Sequence, residues 1–283
     1  MRVYISADME GVSGLTDPDD MRPGGGGYEM GRVFMTSEVN ATVRGAFAGG
    51  ASSVLVNDAH SNARNLRMDL IDPRCRVIRG KNRPLRMGQG LEAGADAAIL
   101  IGYHARAGSA ACGVLSHTWM GREITDVYLD GRVVGEIEIV AALAAHYRVP
   151  VVLVCGDEAA CDEAQAALGK DLAVVAVKAG INRSSANLIP PAKAQELIEA
   201  AAEQTVRTAV SAPVQEAPGP VVLEVVWNNP EIAATATLLP GIQACRGELG
   251  IRYEARDMPE AIGVLGVLAM LAAHLTSGAG PYG

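Results

Sequence analysis

Short apolar runs alternate with helical patterns along the first 180 residues, and polar side chains follow most of the runs. The runs predict strands at 3–5, 53–56, 75–78, 97–101, 151–154 and 172–177. Helical patterns lie between several of them, at 29–48, 135–146 and 157–168. Because strands that alternate with helices favour parallel pairing, we predict an α/β fold. Its doubly wound, mostly parallel sheet has helices on both faces.

The pattern changes near residue 180, where the polar stretch 182–185 precedes a helix that begins at Pro190 and Pro191. A Pro-rich linker at 213–220, a strand at 221–226 and a final helix from Asp257 follow. We therefore predict two domains: an α/β metal-binding catalytic domain at 1–180, and a smaller α+β domain at 181–283 for oligomerisation and substrate access.

Weak alternation at 114–118 and 124–129, with a turn signal at Asp130-Gly131, predicts a hairpin over 114–134. We expect this hairpin to pack with the second domain.

The composition excludes several classes of function. The chain has 283 residues, 49% of them hydrophobic and 20% charged, which is enough to bury a full core. Its net charge is -8 and no Lys/Arg cluster occurs, so we expect neither a nucleic-acid partner nor an anionic membrane surface.

The cysteines and apolar stretches predict a cytoplasmic protein. The five cysteines form no Cys-x-x-Cys pair, which argues against a disulfide framework or a thiolate zinc site. Asp8 falls where the apolar part of a signal peptide would lie. The apolar run 262–273 is shorter than the ~20 residues of a membrane span and predicts a packed helix.

Metal-competent side chains follow three of the predicted strands. Asp8 and Glu10 follow the first strand, His60 the second, and His104 the strand at 97–101. The carboxyl ends of parallel strands share one sheet edge, so these side chains are expected to meet there. Asp8 and Glu10 are one strand repeat apart and repel each other unless a cation lies between them. On their own, the two acids are equally typical of a solvated acidic turn.

Glu136, in the first turn of a predicted helix, is a candidate fifth ligand, although an acid is also favourable there without a metal. Asp8, Glu10 and Glu136 together carry a charge of -3. Two Zn²⁺ ions carry +4, so the net charge of the site would be +1, which can bind a hydroxide. Mixed imidazole and carboxylate ligands suit zinc better than calcium or magnesium. A water bridging two such ions ionises near neutral pH and becomes a nucleophile.

Four further features have more than one interpretation. His117 is a candidate ligand, general acid/base or oxyanion donor. Asp58 is a candidate acceptor for the free N–H of a ligating histidine. Arg183 could bind a substrate carboxylate through its guanidinium fork, or form a contact between domains. The glycines at 24–27 predict a lid over the strand ends, because the Gly-Lys-Ser/Thr of a phosphate-binding loop is missing.

Six motifs carry these residues in order along the chain. They are Ser-Ala-Asp-Met-Glu-Gly (6–11), Val-Asn-Asp-Ala-His-Ser (56–61), Gly-Tyr-His-Ala-Arg (102–106), Ser-His (116–117), Val-Gly-Glu (134–136) and Ala-Gly-Ile-Asn-Arg-Ser (179–184). With these motifs the chain resembles the bacterial zinc D-aminopeptidases of the dipeptide-operon (DppA) type over almost its entire length.

The resemblance implies a site with two zinc ions, in which Asp8 contacts both and Glu10, His60, His104 and Glu136 complete the ligands. It also implies that His117 is catalytic, and the family describes this histidine as the nucleophile. A metal hydroxide is the better attacking group, so we assign His117 a proton-transfer or oxyanion role. The family further implies N-terminal cleavage of short D-amino-acid peptides such as D-Ala-D-Ala, and a self-compartmentalised decamer of two pentameric rings.

The sequence thus predicts a zinc-dependent D-aminopeptidase that acts through a dinuclear zinc-bound hydroxide. A metal-dependent phosphohydrolase is an alternative, since a strand ending in two acids resembles a phosphatase pattern. However, the second acid is Glu10 and no Lys or Ser/Thr phosphate clamp is evident. The other alternative is a non-enzymatic peptide-binding component of dipeptide uptake, which would need a signal sequence.

Overall fold

The computed structural model of the protein describes residues 1–209, 212, 214–217 and 219–276. Part of the predicted linker at 213–220, the last residue of the helix predicted to reach 210, and the end of the predicted second domain lie outside the described residues. The strands are β1 (Arg2–Ala7), β2 (Ser53–Asp58), β3 (Arg76–Ile78), β4 (Ala97–Tyr103), β5 (Ile124–Leu129), β6 (Arg132–Val134), β7 (Val151–Asp157), β8 (Ala173–Asn182), β9 (Ser185–Leu188), β10 (Val221–Trp227), β11 (Gln243–Cys245) and β12 (Gly250–Ala255). The α-helices are α1 (Tyr28–Ala48), α2 (Glu136–His146), α3 (Glu158–Leu168), α4 (Pro191–Thr208), α5 (Pro230–Ala236) and α6 (Met258–Thr276).

A seven-stranded sheet forms the centre of the molecule, in the order β3-β2-β1-β4-β7-β8-β9. Neighbouring strands are parallel except at β9, which returns antiparallel to β8. Along β1, Val3 and Ile5 face one core while Tyr4 faces another. This alternation is expected of a strand covered on both sides. The predicted α/β class and the doubly wound, mostly parallel sheet are therefore confirmed.

Helices α1 and α4 cover one face of this sheet. Val39 and Val43 of α1 and Ile198 of α4 are buried there against the strands. The two helices approach closely at Gly45, where a Cβ would lie 2.2 Å from the Glu199 carbonyl oxygen. A larger residue at that position would force the helices apart, so the glycine sets their spacing.

The opposite face carries α2, α3 and a five-stranded antiparallel sheet, in the order β11-β12-β10-β5-β6. Trp227 of β10 and Leu265 of α6 are buried in the core between this second sheet and its helices. The hairpin β5–β6 turns at Asp130 and Gly131, both with positive φ (50° and 79°), and β5 pairs with β10. The additional α+β unit is thus built on an antiparallel sheet, to which residues 124–134 contribute.

Two predicted elements need correction. Residues 114–118 form a loop instead of a strand, because Leu115 has a left-handed φ of 55° and its N–H donates to the Arg183 carbonyl. The polar stretch 182–185 is the turn between β8 and β9, and both strands extend the central sheet. The predicted boundary after residue 180 falls within β8. We propose instead that the second unit begins after α4, because α4 packs in the core of the central sheet.

Within the described part of the chain, α6 is the one helix long and apolar enough to cross a membrane by length and composition alone. It has 19 residues and a mean hydropathy of 1.7, so the predicted run at 262–273 is part of a longer apolar helix. About two fifths of it (39%) is buried within the protein. Its buried side chains include Ile262, Leu265 and Leu268.

Candidate metal centre

Five side chains meet at the carboxyl edge of the central sheet. Asp8 follows β1, His60 follows β2, His104 follows β4, Glu10 lies two residues after Asp8, and Glu136 begins α2. β1 pairs in parallel with both β2 and β4, so the residues that follow these strands emerge side by side. All five side chains are buried: Asp8 is 2% exposed, Glu10 2%, His60 8%, His104 1% and Glu136 4%. The sequence-predicted positions are thus brought together.

Asp8 lies between two histidines. Its Oδ1 is 3.2 Å from His60 Nδ1, and its Oδ2 is 3.5 Å from His104 Nε2. Glu10 Oε2 lies 3.0 Å from the same His60 nitrogen, and Glu136 Oε1 lies 3.5 Å from the same His104 nitrogen. The cluster therefore has two halves that share Asp8.

Each imidazole of the centre directs its outer nitrogen at a backbone carbonyl. The pairs are His60 Nε2 with Met21 O at 3.0 Å, His104 Nδ1 with Ala105 O at 2.9 Å, and His117 Nδ1 with Leu115 O at 2.9 Å. A carbonyl can only accept, so the outer nitrogen is the protonated one in each neutral ring. The inner nitrogens then direct lone pairs at carboxylate oxygens, which is repulsive without a cation between them.

Three buried polar atoms in the cluster lack a hydrogen-bond partner among the residues that the structure describes. They are Asp8 Oδ2, Glu10 Oε2 and His104 Nε2. Buried polar atoms are nearly always bonded, so such a group requires an explanation. Ligand atoms of Asp8, Glu10 and His60 lie within 4.8 Å of one another, as do those of Asp8, His104 and Glu136. The cluster thus fits two metal ions that share Asp8, and its nitrogen and oxygen donors suit zinc.

The buried acids and imidazoles of the cluster shift one another's pKa values. Burial and the charge of Glu10 raise the pKa of Asp8 well above its usual range. Burial opposes a charge on His60 and on His104, but the neighbouring carboxylates raise the pKa of both imidazoles well above the ordinary value. The same imidazoles lower the pKa of Glu10, although burial opposes this shift. The site therefore attracts positive charge strongly.

His117 lies beside the cluster on the loop that replaces the predicted strand. Its ring stacks on His104, with centroids 4.2 Å apart and an interplanar angle of 10°. Its Nε2 is 3.8 Å from both Glu10 Oε1 and Glu136 Oε1. Burial and the adjacent His104 lower the pKa of His117, which favours the neutral ring. His117 can therefore accept a proton at Nε2 or act as a further ligand.

Arg183 supports this loop and does not line the cavity. Its guanidinium donates from Nε to the Ser116 carbonyl at 3.2 Å, and its own carbonyl accepts from Leu115. From the other side, the Asp157 carboxylate accepts from the Val114 N–H at 2.8 Å. These contacts favour the predicted structural role of Arg183 over substrate binding.

Asp58 has a different partner from the one predicted. Its carboxylate accepts from the backbone N–H of Asn65 and Leu66, at 2.6 and 2.9 Å, instead of from a ligating histidine. Asn65 in turn donates to the His60 carbonyl at 2.7 Å. Asp58 therefore fixes the loop that carries His60 and contacts its imidazole only indirectly. The observed acceptor of the His60 ring is the Met21 carbonyl.

The glycine loop contributes to the site through its neighbours. A Cβ on Gly25 would lie 2.1 Å from the Asp19 carbonyl, so this glycine lets the loop pack tightly on the turn before it. Pro18, Met21 and Arg22 line the cavity above the cluster, whereas the glycines do not. The glycines thus support the neighbouring segment, and the lid stays a prediction.

Two supporting residues were missed by the sequence reasoning. Lys178, on β8, is 2% exposed and donates to the carbonyls of Glu10, Val12 and Leu15 at 2.5, 2.9 and 2.7 Å. It holds the turn from which Glu10 projects. The Trp119 N–H donates to Glu136 Oε1 at 2.6 Å. A lysine in an otherwise apolar strand was the one available signal.

Comparison with known proteins gives consistent results. The family model described as D-aminopeptidase matches residues 1–267. The D-aminopeptidase of Bacillus subtilis (strain 168) is 36% identical over 272 residues, which cover 96% of this chain and 98% of that protein. The structure of the Zn-dependent D-aminopeptidase DppA from Bacillus subtilis, a self-compartmentalizing protease, superposes with a TM-score of 0.92 at 35% identity, covering 98% of this chain and 99% of that one. The chain belongs to the D-aminopeptidase family.

Proposed function

We propose that this D-aminopeptidase removes the N-terminal residue from short D-amino-acid peptides such as D-Ala-D-Ala, with two zinc ions at the cluster. The family and the B. subtilis relatives, one of them Zn-dependent, support the reaction and the metal. One observation carries the proposal furthest. Three imidazoles, whose outer nitrogens face backbone carbonyls, direct their inner nitrogens into a buried group of three carboxylates.

Two half-sites support the number of ions. In the proposal, Glu10 and His60 would hold one zinc, and His104 and Glu136 would hold the other. Asp8 belongs to both halves, because its carboxylate faces His60 on one side and His104 on the other. When bound, the zinc ions supply a water that ionises near neutral pH and positive charge for the substrate carbonyl. Three carboxylates balance most of that charge, which keeps the buried site close to neutral.

His117 is proposed to move the proton of the reaction. Its Nδ1–H donates to the Leu115 carbonyl, so Nε2 carries the free lone pair. This Nε2 lies between Glu10 and Glu136, where it can accept a proton as water attacks and return it to the leaving amine. The stacked His104 and the Leu115 carbonyl hold the ring in place. The hydrogen-bond pattern thus supports a base over an oxyanion donor.

The assembly and location are part of the same proposal. We propose a self-compartmentalised decamer of two pentameric rings in the cytoplasm, supported by the 0.92 TM-score to a self-compartmentalizing protease. Native mass spectrometry of the purified protein should give a mass of ten chains. A monomer or dimer at working concentration would contradict the ring assembly while leaving the chemistry untouched.

Metal removal and restoration test the reaction. Chelation should abolish D-Ala-D-Ala hydrolysis, and Zn²⁺ should restore it in proportion to the zinc bound, up to two ions per chain. L-Ala-L-Ala serves as the stereochemical control and p-nitrophenyl phosphate tests the phosphohydrolase alternative. Full peptidase activity after thorough metal removal, or faster turnover of the phosphate ester, would reject the proposal.

A further inference from the structure

The cavity next to the metal centre has a cationic wall. Its volume is about 650 Å³. Its cationic lining residues are Arg22, Lys81, Arg83, Arg86 and Arg122. The carboxylates in the described lining are those of the cluster, Asp8, Glu10 and Glu136. A chain with a net charge of -8 therefore gathers positive charge around its active site.

Two of these arginines, Arg83 and Arg86, are close in space and neither is in an ion pair with a described carboxylate. Arg83 donates to the Asn57 side chain and, at 2.9 Å, to the Asp58 carbonyl. Arg86 donates to the Gly266 carbonyl of α6 at 2.9 Å. Burial lowers the pKa of Arg83, and the charge of Arg86 adds to this, although the Asp58 carboxylate acts in the opposite direction. Half-buried like charges in this arrangement favour binding of an anion.

The backbone holds Arg86 in an unfavourable conformation. Its φ is 49°, in the left-handed region that costs about 1 kcal/mol or more for a non-glycine residue. α6 makes room for the side chain at Gly266, where a Cβ would lie 2.3 Å from Arg86 Nε. Strain of this kind persists where the surrounding structure enforces it, commonly at binding sites.

The two arginines and the metal cluster line the same cavity. Asn57 Nδ2 donates to the carbonyls of Arg86 and Met87, and Ser6 Oγ also donates to Met87 O, at 2.8 Å. This segment is thus fixed beside Ser6, two residues or roughly 7 Å along the strand before Asp8. An extended dipeptide spans about 7 Å. A dipeptide with its N-terminal residue at the metal centre is therefore long enough to extend along this strand, within the cavity that Arg83 and Arg86 line.

We propose that Arg86, supported by Arg83, binds the C-terminal carboxylate of the substrate and so selects dipeptides. The guanidinium plane can accept a carboxylate in two parallel hydrogen bonds. This inference rests on the proposed peptidase function and names the part of the cleft that sets substrate length.

The test compares an acid with its amide. Wild-type enzyme should prefer D-Ala-D-Ala over D-Ala-D-Ala amide by about 10- to 100-fold in kcat/KM, the range for charge-assisted hydrogen bonds. R86N removes the charge and retains a residue that tolerates left-handed φ. It should lose about the same factor on the acid and less than about threefold on the amide. R148N is the matched control, because Arg148 also has a left-handed φ (59°), is exposed and lies outside the cavity.

The outcomes separate the two proposals. If wild-type enzyme binds zinc but cleaves neither substrate, the peptidase function fails and this inference fails with it. Equal wild-type rates on acid and amide, or equal losses on both in R86N, overturn the carboxylate site and leave the peptidase function standing. If R86N unfolds at a lower urea concentration than R148N, or binds less zinc, the test is repeated with R86K. R86K should retain part of the preference for the acid over the amide, and loss of this entire preference in R86K overturns the proposal.

Discussion

Lys178 is expected to stabilise the turn that carries Glu10, although it is not itself a proposed metal ligand. Its ammonium lies 2% exposed and donates to three carbonyls of the turn after β1. That turn carries Glu10. K178M keeps a side chain of similar length and removes the three donors, so it isolates the hydrogen bonds from the packing.

The magnitude follows from the groups left unpaired. Each buried carbonyl that loses its donor lowers stability by about 1–3 kcal/mol. Methionine offsets part of this loss, because burying an apolar side chain avoids the desolvation penalty of a buried ammonium. We expect the free energy of unfolding to fall by about 3–5 kcal/mol. Movement of Glu10 should also weaken zinc binding by about 10- to 100-fold, the range for residues that orient ligands.

Urea unfolding followed by circular dichroism measures the first effect, at one protein concentration and with zinc removed from both proteins. Zinc titration against a competing chelator measures the second. K193M is the control, because Lys193 is exposed and, among the described residues, its ammonium pairs with Glu196 of the same helix alone. It should change stability by no more than about 0.5 kcal/mol. A loss below about 1 kcal/mol in K178M, with zinc affinity unchanged, would refute the argument.

Three further predictions concern a buried acid, the proposed base and the α6 glycine. Burial raises the pKa of Glu38 to about 7, so between pH 4.5 and 7 this carboxyl binds a proton in the folded state but not in the unfolded state. Its contribution to wild-type stability should therefore fall as pH rises through this window. E38Q should remove this contribution and gain about 3 kcal/mol relative to wild type between pH 4.5 and 8 in urea unfolding; parallel pH profiles would contradict it. H117A should lower kcat by about 100-fold or more with zinc content unchanged, and a loss of zinc would instead make His117 a ligand. G266A places a Cβ 2.3 Å from Arg86 Nε, so KM for D-Ala-D-Ala should rise while zinc content is retained; an unchanged KM would show that Arg86 shifts without effect.

The central sheet was predictable because its strands are buried on both faces. Such strands are apolar runs bounded by polar residues, as at 53–56 and 97–101, and the structure has strands there. The elements that were missed carry mixed signals. In β12, Arg252 and Glu254 alternate with apolar residues on a strand whose outer side is solvated. The β8–β9 turn is polar, so it was interpreted as a junction between domains.

The convergence of these side chains was predictable, whereas their hydrogen-bond partners were not. Parallel strands bring their carboxyl ends to one edge, so Asp8, His60 and His104 could be grouped from position alone. The acceptors of the imidazoles are backbone carbonyls, which every residue has and which therefore leave no trace in a sequence. Asp58 illustrates the same limit, because only the folded loop brings the Asn65 N–H to its carboxylate.

Acidic and basic side chains line different parts of the cavity, and this separation favours one orientation of the proposed substrate. The carboxylates of the cluster lie at the sheet edge. They would repel the oxygen of a peptide carbonyl, whereas the proposed zinc ions would attract it. The cations line the remaining wall, and Arg86 is fixed there by a strained backbone and by contact with α6. A zwitterionic dipeptide bound in reverse would bring its ammonium to the arginines, which repel it. In the proposed binding mode, the same cations that favour the carboxylate therefore disfavour the reversed orientation.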